Sequence, residues 1–151
     1  MALDNSREGF HVEDDFAGKG REDFLSSTQM VWEMLRAIFA QLPFIIGLPD
    51  LQVEDAESVS GACAALQRAR DELIDVQPIP ATLAALITEG ALEILQCLLL
   101  VTHTEGRDLP EWHAELWFRS LTRTQVMCGR AMIALNAINE MASRQEGPDQ
   151  E

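Results

Sequence analysis

The chain has 151 residues, a hydrophobic fraction of 47% and a net charge of −14. This length suits one ordinary domain with a real core, and this apolar content excludes a largely disordered chain. Eleven basic residues against twenty-five acids argue against binding nucleic acid or an anionic membrane by charge. The excess of acid is read as solubility, with mimicry of nucleic acid as a minor alternative.

Tyrosine is absent. The apolar mass is mainly Leu, Ala, Ile and Met, the palette of helices. Residues 1–22 are polar and acidic and are read as a flexible arm. Phe10, Val12 and Phe16 are its sizeable apolar residues after Leu3, so GFHVEDDF is alternatively a segment that docks on the body or on a partner. No basic and apolar leader is present at the start, so no secretory signal is expected.

A single helical domain is expected over residues 23–144. Its first helix is predicted from Ser26, where Ser26-Ser27-Thr28-Gln29 fits a capping box, with Leu25 and Met30 as a hydrophobic staple. Apolar residues at Val31, Met34, Leu35, Ile38, Phe39 and Leu42 continue it to Pro43. Residues 44–51, FIIGLPDL, read as a buried loop or single turn over the core.

The second helix is predicted over residues 53–76. Ala56, Val59, Cys63, Leu66 and Leu73, with Ala69 or Arg70, form its inner stripe. Pro78 ends it, and Pro80 suits the first turn of a third helix.

Residues 81–101 are the most informative segment. Fifteen of the twenty-one are apolar. Thr82, Glu89, Glu93 and Gln96 fall on one narrow strip at 100° per residue. The segment is long enough to span a bilayer, but two central glutamates and the lack of basic flanks favour a soluble helix. Its inner stripe is Ala84, Ile87, Ala91, Ile94, Leu98 and Val101, which leaves Leu92, Leu99 and Leu100 as surplus. A homodimer through these leucines is expected. The alternative is a central helix covered by the arm and the 44–51 loop.

Gly106 is a plausible stop for this helix, and Asp108 with Glu111 is expected to cap the next. A fourth helix is predicted over residues 109–143, with a seam through Ala114, Trp117, Leu121, Thr124, Cys128, Ala131, Leu135, Ile138 and Ala142. Residues 145–151 read as a loose, disordered tail.

The fold expectation is therefore all-α, four main helices in a bundle-like arrangement. Cys63, Cys97 and Cys128 are odd in number and far apart, which argues against disulfides or zinc and fits a reducing compartment, the cytoplasm. No nucleophile elbow, phosphate loop or Glu-x-x-His pair is present. No cofactor and no metal are expected.

The expected function is that of a non-enzymatic module, a small acidic regulator, adaptor, inhibitor or immunity-type protein acting by binding another protein. Its candidate contacts are Leu92, Leu99, Leu100, Trp112 and the basic stripe Arg119, Arg123 and Arg130. For the arginines, pairing with acids of the same protein is expected ahead of ligand binding. The alternative is a small-molecule or metal-binding protein, even an enzyme, using Glu89, Glu93, His103 and His113. It requires those groups to converge.

Overall fold

The computed structural model describes residues 20–42, 46–75 and 79–149. Four helices follow in order: α1, Arg21–Ala40; α2, Ala56–Asp75; α3, Ala81–His103; and α4, Glu111–Asp149. They form an all-α four-helix bundle. Helix α3 is central and packs against all three others, most extensively against α4. The expectation for residues 1–19 lies outside the described residues.

Helix α1 starts at Arg21, earlier than the capping box indicates. Gly20 is its N-cap and offers no side-chain hydrogen bond. Ser26 lies inside the helix, Met30 is exposed, and Gln29 donates to Glu33 at 3.4 Å instead of reaching back. Phe24 and Leu25 are buried, so extending the helix places two more large side chains in the core. Glu22 and Asp23 also favour the positive end of the helix dipole. Arg21 and Glu22 therefore belong to the helix and not to the expected arm.

Helix α1 is parallel to α4. Phe24 stacks on Trp117 at a ring separation of 5.2 Å, and Gln41 reaches Met132 at the other end. The Trp117 indole N–H donates to Thr28 Oγ1 at 2.9 Å, and that hydroxyl donates to the Phe24 carbonyl at 2.7 Å. The polar atoms of this buried contact are thereby satisfied.

Residues 46–52 run back along α1 as an irregular strap, the expected buried loop and not the single turn. Ile46, Leu48 and Leu51 face inward while Gly47, Pro49 and Asp50 are exposed. Trp32 donates its indole N–H to the Pro49 carbonyl at 3.0 Å, and Arg36 donates to the Leu48 carbonyl at 3.1 Å. Arg36 also pairs with Asp50 at 2.7 Å and Glu33 at 3.0 Å. The strap returns the chain to the end where α1 began, so α2 starts beside Arg21 and Leu25, close to Val101 of α3.

Helix α2 starts at Ala56, where Asp55 Oδ1 accepts from the Glu57 N–H at 3.1 Å. Its buried stripe is Val59, Ala62, Leu66, Ala69 and Leu73; Ala56 is exposed and Cys63 only half-buried. Ala62 takes the place expected of Cys63.

Helix α3 ends at His103, and Gly106 adopts φ +68, as its position in the sequence suggested. Arg21 seals this end, donating to the Val101 carbonyl at 2.7 Å and to Thr104 Oγ1 at 2.9 Å. The expected Asp108 cap is absent: the first turn of α4 closes on the Pro110 carbonyl, which accepts from His113 and Ala114. The α4 seam buries Ala114, Trp117, Leu121, Thr124, Cys128, Ala131 and Leu135. The helix continues to Asp149, past the expected end at residue 143.

Candidate functional site

The outer face of α3 follows from its angular pattern. Three sides of the helix meet α1, α2 and α4, and one remains open. Ala85, Leu92 and Leu99 stand seven residues apart on that open side, all exposed. Leu92 is 55% exposed and Leu99 65%, both far above the scatter expected of core residues. Leu100, one residue on, is turned by a further 100° and is only 5% exposed. It belongs to the core and cannot serve as a contact for a second subunit, contrary to the sequence expectation.

Glu89 lies exposed beside the leucines, and Gln96 is half-buried. Glu93 turns toward α4 and meets Arg123 at 3.6 Å, with side-chain exposures of 21% and 55%. The partner of Arg123 is therefore on α3, an acid of the same protein as expected. At this distance and exposure the pair contributes little to stability. Among the described residues, Arg119 and Arg130 have no carboxylate within ion-pair range, so the expected pairing with acids of the same protein is not seen for these two.

The outer face of α4 carries Trp112, Arg119, Arg123, Val126, Arg130, Ile133 and Met141, all exposed. Trp112 is 63% exposed, with its ring against His113 at 3.7 Å. Val126 and Ile133 follow Arg119 at steps of seven, which makes one stripe that mixes cationic and apolar groups. Sequence reasoning missed Val126, Ile133 and Met141 because it followed the inner seam alone. The same heptad arithmetic applied to the opposite face would have found them.

His103 and His113 do meet at one end of the bundle, with ring centres 5.3 Å apart and nearly perpendicular. His113 is buried and its Nδ1 has no hydrogen-bond partner among the described residues. The alternative constellation does not converge further. Glu93 is engaged with Arg123 three turns from His103, and no group of three His, Cys, Asp or Glu side chains among the described residues can hold a metal ion.

The thiols are poor nucleophiles. Burial first, and then the nearby charge of Glu93, push Cys97 up to about 12, against a backbone hydrogen bond that lowers it. Burial raises Cys128 to about 11 and raises Cys63 as well. All three are free cysteines.

By length and composition α3 could cross a membrane, and 44% of its most apolar window is buried inside the chain. No family model, curated protein or solved structure matches the chain.

Proposed function

We propose that this chain is a non-enzymatic protein-binding module that uses the outer face of α3, and that it pairs with a second copy of itself through Leu92 and Leu99. The observation that carries this reading is the open leucine row on a helix whose other sides are packed. Each leucine fully covered by a partner contributes about 1.5–3 kcal/mol of transfer free energy. In a two-fold contact each residue acts twice, so two leucines per copy supply four buried side chains. Glu89 and Gln96 form a polar edge to this row, the arrangement typical of a contact with an apolar centre.

The role that fits such a surface is that of a regulator, adaptor or inhibitor. The three unpaired cysteines suit a reducing compartment such as the cytoplasm. The packing of α3 against three helices and its Glu93–Arg123 pair favour a place in a helical domain over a place in lipid.

Light scattering at micromolar concentration tests the pairing. The unsubstituted chain should run as a dimer and Leu99→Glu as a folded monomer with unchanged helicity. A monomeric unsubstituted chain would overturn the self-association.

A further inference from the structure

The outer face of α4 is a second surface, separate from the leucine row of α3. It is chemically distinct, with three arginines and Trp112, Val126 and Ile133 standing in a chain of net charge −14. We infer that its occupant is the chain's own N-terminal segment, residues 10–16, lying along α4 from Trp112 to Val126.

Three observations point to this occupant. The first is position. Helices α1 and α4 are parallel neighbours, so Gly20 stands at the end of the bundle that carries Trp112. Arg21 ties that end to Thr104, the residue after His103, and His103 meets His113 beside Trp112. The four residues back to Phe16 reach about 13 Å when extended, enough to cross a neighbouring helix.

The second is length. Phe10 and Phe16 are six residues apart, about 20 Å of extended chain. Trp112 and Val126 are fourteen residues apart, about 21 Å of helix. With Phe16 on Trp112, Phe10 falls beside Val126.

The third is charge. Glu13, Asp14 and Asp15 lie between the two phenylalanines, as Arg119 and Arg123 lie between Trp112 and Val126. Alternation along an extended chain puts Asp14 on the same side as Phe10 and Phe16, within one helical turn of Arg119, whose guanidinium has no carboxylate in range among the described residues. The flanking Glu111 and Glu115 leave the start of the stripe less favourable to acid, so the acidic run is matched to its middle. Phenyl-on-indole contact and charge pairing then reinforce each other over one surface.

Acrylamide quenching of the full chain tests the inference. Trp32 and Trp117 are fully enclosed, so the quenchable signal belongs to Trp112, and Trp112→Phe assigns it. A phenyl ring over one face leaves about half the indole open, so quenching should rise about twofold in the double variant Phe10→Ala, Phe16→Ala. Asp14→Arg should release the ring in the same way, and Arg119→Glu added to it should restore protection. Circular dichroism confirms that each variant keeps its helices. Equal quenching in the unsubstituted chain and in the double variant overturns the inference. Protection that disappears on dilution also overturns it, because the cover is then a second copy. Neither readout depends on Leu92 or Leu99, so failure of the α3 pairing is recorded separately.

Discussion

The α1–α4 contact and the outer face of α3 use similar apolar mass to opposite ends. At the first, Phe24, Trp117 and Thr28 interlock, and both polar atoms introduced by the indole and the hydroxyl find partners. At the second, Leu92 and Leu99 stand in an exposed row with nothing from the other described residues over them. A face meant for the interior is closed by shape and by hydrogen bonds. A face with leucines of similar size and no such closure is available to something else. Apolar content alone does not separate the two; the direction of each side chain does.

The largest effect should come from breaking the closed side. Trp117→Ala removes a fully buried indole that fills the space between α1 and α4, and should cost about 3–5 kcal/mol in denaturant unfolding. A loss below about 1 kcal/mol would mean that this contact is not a sealed core, since such small values belong to surface substitutions.

Arg21→Ala comes next. It removes a guanidinium donating to the Val101 carbonyl and the Thr104 hydroxyl at the C-terminal end of α3. Charge-assisted bonds to a helix end predict a loss of about 2 kcal/mol, with faster amide exchange over the last turn of α3. Unchanged exchange there would show that α3 is held without this clamp.

The smallest effect should come from the open side. Leu99→Ala in a chain kept monomeric by dilution should change stability by less than about 0.5 kcal/mol. A loss of more than about 2 kcal/mol, the range of a buried leucine, would show that the row is covered within the chain. The contrast between Trp117 and Leu99 would then collapse.

Much of the helical layout is legible in the sequence. Apolar residues at steps of three and four mark the cores of all four helices, and Pro80 and Gly106 mark boundaries that the structure keeps. The misreadings arise where tertiary packing outweighs a local signal. Ser26 and Gln29 make a good capping box, but Phe24 and Leu25 gain more by joining the helix than the cap contributes. The 46–51 stretch reads correctly as a buried loop, but its path back along α1 is set by Trp32 and Arg36 and not by a local signal.

The candidate surfaces were partly legible. Leu92 and Leu99 follow from the surplus around α3, while Leu100 required the position of its neighbours. A helical wheel gives the angle of a residue and not which sides other helices occupy. Trp112 shows the same ambiguity, since its first-turn position fits packing or exposure equally, and the structure leaves it 63% exposed.

By itself the sequence determined the number of helices, their inner stripes and the lack of a recognisable catalytic motif. Those features follow from local periodicity and residue chemistry, which need no knowledge of distant residues. Only the tertiary structure decided that α1, α2 and α4 all begin at one end, that α3 is central, and that the open row is Leu92 and Leu99 without Leu100. Helix direction and exposure depend on which elements meet. Here the return strap fixes that choice: held by Trp32 and Arg36, it brings the chain back along α1 before α2 begins.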